Sequence, residues 1–208
     1  MANDLVSASA AVFDKAYYQR YYFNQKTSVV DPAHVQALGA FVCSYVKYLR
    51  VPVLRVLDVG CGIGLWRDVV AQHFPQASFH GVEVSDYLCG RFGWEQGSVI
   101  DYRANVPFDL VICQGVLPYL SAADAHSAMR NLGRLCQGAL YVEAITREDW
   151  EHDLVEESLT DPKLHKHPAA LYRRGLSQDF TELGGGLWLS RRSDLPVFAL
   201  EGLDGAGR

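Results

Sequence analysis

The chain of 208 residues is long enough for one α/β domain with a buried core and short for two. Apolar residues make up 49% and charged residues 21%, the balance of a soluble globular protein, and the formal net charge of -5 gives no global attraction to nucleic acid or to an anionic membrane surface. No apolar run approaches the ~20 residues of a membrane span, and Met1–Ala10 lacks the basic start and apolar middle of a signal peptide. The five cysteines, Cys43, Cys61, Cys89, Cys113 and Cys136, form no CxxC pair, so reduced, mostly buried thiols, no metal site and a cytoplasmic location are expected.

Residues 1–50 read as a helical cap, 51–200 as a single α/β domain and 201–208 as a flexible tail. Ala10–Tyr22 is helical and aromatic-rich, with Tyr17, Tyr18, Tyr21 and Tyr22 clustered. Asp31-Pro32 is an N-cap followed by proline at the first helical position, and Val35, Leu38, Phe41, Val42, Tyr45, Val46 and Leu49 then recur at helical spacing. Strands are expected at Val53–Leu57, Ser78–Val84, Trp94–Gln96, Phe108–Cys113 and Ala139–Ile145. Helices at Leu65–Phe74, Asp86–Arg91 and Ala122–Cys136 alternate with them. Such alternation predicts a doubly wound, mostly parallel seven-stranded sheet with helices on both faces. The polar Arg147–Tyr172 segment reads as a helix and loops. Ser177–Leu183 reads as a helix ending at Gly184-Gly185-Gly186, and Leu187–Arg191 with Val197–Leu200 as an antiparallel C-terminal hairpin.

The chemistry-bearing stretch is Val56-Leu57-Asp58-Val59-Gly60-Cys61-Gly62-Ile63-Gly64, which follows a strand and opens a helix. Glycines there allow a sharp turn and close approach of a ligand to backbone. A dinucleotide site needs G-x-G-x-x-G, but here the third glycine comes one residue early and Leu65 stands where that pattern expects glycine. Asp58, two residues before Gly60, suits an ammonium-bearing ligand better than a pyrophosphate.

The stretch resembles the first motif of the class I (Rossmann-like) S-adenosylmethionine-dependent methyltransferases, and the resemblance runs in order through roughly residues 50–200. It implies a cofactor site of Asp58, Gly60, Cys61, Gly62 and Gly64. Glu83, with Val84 beside it at the end of the second strand, would take the ribose hydroxyls. Where the family carries a Gly-Asp pair that accepts from the adenine amino group, this chain has Gly97-Ser98. Ser98 departs from the pattern, and Val99 is expected on the adenine face. Phe108–Cys113 and the loop Gln114-Gly115-Val116-Leu117-Pro118-Tyr119-Leu120 also match, with Gln114 and Gly115 at the junction of cofactor and substrate. An N-terminal aromatic over the methionine end is a further implication, and Tyr22 is the residue chosen for it, against a reading of Tyr18 and Tyr22 as a helix-packing face.

The resemblance implies S-adenosylmethionine as cofactor, S-adenosylhomocysteine as product and in-line transfer to an O, N, S or C nucleophile of a small molecule. Such chemistry has no fixed triad, so no catalytic residue is assigned; His152, Glu143 and Tyr119 are the candidates. His165-Lys166-His167 reads as a polar loop without a third metal ligand, and Arg173-Arg174 as a solvated pair or an anchor for an anion. The Asn/Asp-Pro-Pro-aromatic motif of base-amino methyltransferases is missing from the Cys113-Gln114-Gly115-Val116 position, so nucleic acid and membrane are not expected partners. A homodimer is left open. The alternatives are a non-catalytic S-adenosylmethionine-binding sensor or partner protein and, further off, a nicotinamide-dependent oxidoreductase.

Overall fold

The computed structural model describes residues 13–24 and 31–203. The expectations for Met1–Ala10, and for the tail beyond Leu203, lie outside the described residues.

A short helix α1 (Lys15–Tyr18) is capped by the Asp14 side chain and continues as a π-helical turn over Gln19–Phe23. Helix α2 (Pro32–Tyr48) starts as its sequence dictates. The Asp31 carboxylate accepts from the Ala33 N–H at 2.9 Å, and Pro32 occupies the first turn, where no donor is needed. The alternating region follows as β1 (Arg55–Val59), α3 (Leu65–His73), β2 (Ser78–Glu83), α4 (Asp86–Phe92), β3 (Glu95–Gln96) and β4 (Phe108–Gln114). After a 3₁₀ turn at Leu117–Tyr119 come α5 (Ala122–Leu135), β5 (Cys136–Glu143), α6 (Arg147–Glu151), α7 (Ala169–Leu176), β6 (Phe180–Gly184) and β7 (Leu187–Ser190).

The seven strands lie in the order β3-β2-β1-β4-β5-β7-β6. The β1, β2, β3, β4 and β5 pairings are parallel, and β7 runs antiparallel to both β5 and β6. Period-2 alternation splits the core between the two faces. Val56, Leu110 and Ala139 pack with Val42, Val46 and Val69 on the α2–α3 side. Their neighbours Leu57, Val111 and Leu140 pack with Met129, Leu132 and Leu176 on the α5–α7 side. The strand order reverses between β1 and β4, and in such sheets the ligand crevice opens outside the carboxyl ends of the strands at that point.

The C-terminal hairpin sits one element earlier than its pattern predicts. Ser177–Leu183 is not a helix: α7 ends at Leu176, and Phe180–Gly184 is strand β6. The glycines form the hairpin turn, with Gly184 paired to Leu187 and Gly185 and Gly186 at φ of 59° and 78°. Two consecutive positive φ values make the turn that matches strand twist, and glycine supplies them at no steric cost. Val197–Leu200 forms no strand. Pro196 removes a donor, and Phe198 and Leu200 are 68% and 100% exposed, so Leu195 and Val197 pack against the core without a strand forming. The expected tail begins with order: Tyr48 Oη donates to Glu201 Oε1 at 2.7 Å, and the Leu203 N–H donates to the Glu182 carbonyl.

Candidate functional site

A cavity of about 640 Å³ opens at the carboxyl ends of β1, β4 and β5. Its floor is the glycine turn, contributing Asp58, Gly60, Cys61 and Gly62. Gln114, Gly115, Pro118 and Tyr119 follow from β4 and its loop, and Glu143 and Ile145 from the end of β5. Tyr22 and the first turn of α2 (His34, Val35) close one side, and Glu156–Leu164 another.

Asp58 is 2% exposed at the end of β1, and its Oδ2 has no hydrogen-bond partner among the described residues. Burial, with the neighbouring Glu83 carboxylate adding to it, pushes its carboxyl up to about 8. Gly62 has φ of 52°, and a Cβ placed there would meet nothing within 4 Å, so backbone faces open space.

Glu83 ends β2 and is 3% exposed. Its Oε2 accepts from the Gly62 N–H at 2.9 Å, and its Oε1 accepts from the Val84 and Ser85 N–H groups at 2.9 and 3.1 Å. The Tyr18 hydroxyl adds another hydrogen bond, and burial still holds the Glu83 carboxyl above the usual carboxylate range. Helix α1 therefore lies on this carboxylate. The Ser85 hydroxyl donates to the Phe13 carbonyl, and the Tyr17 and Tyr119 hydroxyls bond each other at 2.7 Å.

The structure thus divides the residues singled out in the sequence. Tyr22, Asp58, Gly60, Cys61, Gly62, Gln114 and Gly115 line the cavity. Glu83 lies under α1, and both it and Val84 are outside the cavity wall. Ser98 uses its hydroxyl on the Ile100 N–H at 3.2 Å, and Val99 is 3% exposed within the core of the α5 side. Gly64 serves packing: its φ is 81°, and a Cβ would stand 2.5 Å from the Trp94 ring.

Of the candidates for chemistry, Glu143 and Tyr119 line the cavity and His152 is exposed at the end of α6, away from it. Trp66 Nε1 donates to Gln114 Oε1 at 2.7 Å, and Gln114 Nε2 donates to Glu143 Oε2 at 3.1 Å. Tyr141 Oη donates to the same Glu143 oxygen at 3.0 Å, so the carboxylate is held from two strands. Arg173 is paired with Glu182 at 3.1 Å and lies outside the cavity, so it is no anchor for an anion there. No metal-binding group of His, Cys, Asp or Glu occurs among the described residues, and no helix among them is long and apolar enough to cross a membrane.

Sequence reasoning missed Trp94, whose Nε1 donates to the Gly62 carbonyl at 3.0 Å and so braces the turn. It also missed Asp161 and Leu164 on the cavity wall. Asp161-Pro162 reads only as a turn, and nothing local says that it folds back onto the β4 loop.

The strand order, with the glycine turn at the switch point and an acidic residue ending β2, is the Rossmann-like methyltransferase fold. Residues 57–138 match the methyltransferase domain family model. A magnesium protoporphyrin IX methyltransferase from Synechocystis PCC 6803, with SAH bound, superposes with a TM-score of 0.65 at 18% identity over 90% of this chain and 99% of that one. A sugar N-methyltransferase from Streptoalloteichus sp ATCC 53650 gives 0.59 at 20% identity over 76% and 87%. A trans-aconitate 2-methyltransferase from Pseudomonas paraeruginosa (strain DSM 24068 / PA7) is 30% identical over 93 residues, 40% of this chain. The chain spans about a third (33%) of the length of that curated relative.

Proposed function

We propose that the chain binds S-adenosylmethionine and transfers its methyl group to a small molecule. The observation that carries this reading is the buried Asp58 Oδ2, unpartnered among the described residues, beside the open Gly62 backbone at the switch point of the sheet. A ligand bearing an ammonium group and needing close backbone approach fits that floor. The small-molecule substrates in the names of the similar proteins, a sugar, a porphyrin and trans-aconitate, support an acceptor of that size.

The bound cofactor supplies an electrophilic methyl on a positively charged sulfur. Asp58 holds its ammonium, and Glu83 takes the ribose hydroxyls. Tyr18 of α1 shares the Glu83 carboxylate, so seating the ribose there would require α1 to give up that bond. Tyr22 walls the cavity beside that carboxylate, where an aromatic face favours nearby positive charge. Gln114 and Tyr141 orient Glu143 on the acceptor side, where it receives a proton if the nucleophile has one to lose. The apolar side chain of Leu164 covers part of the cavity wall and limits water there.

Titration calorimetry with S-adenosylmethionine, S-adenosylhomocysteine and NAD tests the reading. The first two bind and NAD does not. Glu83→Ala weakens cofactor binding by roughly 1.5–3 kcal/mol for each charged hydrogen bond lost. Tight NAD binding without the sulfonium ligand would overturn the proposal, and an unchanged dissociation constant in Glu83→Ala would remove the ribose assignment.

A further inference from the structure

The cavity holds a second buried carboxylate that the cofactor does not require. Asp161 opens the turn between α6 and α7 and is 6% exposed. Its Oδ1 accepts from the Lys163 N–H at 2.9 Å. Its Oδ2 is buried with no partner among the described residues, and the residue lines the cavity. Its charge reaches the hydroxyls of Tyr17, Tyr22 and Tyr119.

This placement is built by the fold. The His165 N–H donates to the Pro118 carbonyl at 2.7 Å, and His167 Nε2 bonds the Leu120 carbonyl at 2.9 Å. A carbonyl only accepts, so that His167 nitrogen carries the proton. Two contacts thus pin the segment carrying Asp161 to the loop after β4.

The rest of the cavity has the same sign. Asp31, Asp58, Glu143 and Glu156 also line it, while among the described residues it has no Lys or Arg and one histidine, His34. A buried carboxylate oxygen without a donor is costly until a cation or donor reaches it. The cofactor brings one ammonium, and Asp58 at the glycine turn answers it. Asp161 is on a different element and has none among the described residues.

We infer that Asp161 binds an ammonium group of the methyl acceptor, so that the enzyme acts on a small amine and disfavours carboxylate- or phosphate-bearing acceptors. This rests on the cofactor reading above. The acidic wall repels an anion and gives a cationic acceptor both attraction and orientation.

The test uses the whole chain preloaded with S-adenosylhomocysteine. Calorimetry compares amines with carboxylic acids of like skeleton: tyramine with 3-(4-hydroxyphenyl)propionate, benzylamine with benzoate, and cyclohexylamine with cyclohexanecarboxylate. Amines bind about 10-fold or more tighter than their acid counterparts, the scale of one charged hydrogen bond. Asp161→Asn abolishes the preference with the affinities for S-adenosylmethionine and S-adenosylhomocysteine unchanged, and Asp161→Glu, which keeps the charge, retains it. Acids binding as well as amines, no amine binding, or a preference that survives Asp161→Asn overturns the inference. So does an Asp161→Asn that weakens S-adenosylmethionine more than S-adenosylhomocysteine, because Asp161 would then serve the sulfonium. Wild-type protein binding neither cofactor form is the distinct outcome that sinks the cofactor reading itself.

Discussion

A Cβ added at Gly60 would stand 2.3 Å from the Val116 side chain and one at Gly64 2.5 Å from Trp94, whereas one at Gly62 would meet open space. Three glycines of one motif therefore do different work, and the motif pattern alone does not separate them. Asp58 is a residue whose protonation state the site controls. An aspartate in an unfolded chain titrates near ~3.9, and here burial and Glu83 push it up to about 8. Between those values the folded ligand-free protein keeps a proton that the unfolded chain has released. Its stability therefore falls as pH rises through that window, by at most about 1.4 kcal/mol per unit. An ammonium-bearing ligand favours the ionised carboxylate, so binding below about pH 8 releases a proton and tightens as pH rises. Calorimetry at about pH 6.5, in buffers of different ionisation enthalpy, reads about one proton released per S-adenosylmethionine, and Asp58→Asn abolishes the release. No proton release in the wild type would remove Asp58 from the ammonium site.

Among the elements, β1 owes its start to a residue on β4. The Asp109 Oδ2 accepts from the Leu54 and Arg55 N–H groups, each at 2.9 Å, and its Oδ1 accepts from Gln137 Nε2 at 2.8 Å. One carboxylate ties β1, β4 and β5 at the end of the sheet opposite the cavity. Asp109→Ala lowers stability by roughly 2–4 kcal/mol, since it orphans donors beside a buried strand end. The denaturation midpoint reports this, and a change within ~0.5 kcal/mol would show that water replaces the carboxylate. The sequence pattern located β1, β2, β4, β5 and α5 because long apolar periodicity and glycine or proline stops coincide there. It misplaced the last hairpin because Phe180–Leu183 lacks clean alternation, and the glycines after it read equally well as a helix stop. Only pairing with β7 decides between those readings.

For the molecule as a whole, the cofactor would be held by the turn after β1, the end of β2 and the cap helix α1 together. Ligation should therefore stabilise the entire fold. S-adenosylhomocysteine at about 100 times its dissociation constant adds ~2.7 kcal/mol. That raises the melting midpoint of a domain of this size by about 5–10 °C. A midpoint that does not move at saturation would mean that the cofactor does not bind the native fold.

The sequence alone carried the fold class and the glycine turn, because each depends on local backbone demands and on spacing along βα units, while Glu83 came from the family resemblance. Tertiary structure decided the rest. It placed Tyr22 on the cavity and Tyr18 on Glu83, sent Val99 into the core, left His152 exposed and brought Asp161 to the cavity with an oxygen unpartnered among the described residues. Those outcomes depend on which loop docks on which strand end. Such long-range contacts are set by packing and by hydrogen bonds such as those from His165 and His167 to the β4 loop, and they leave no periodic trace in the chain.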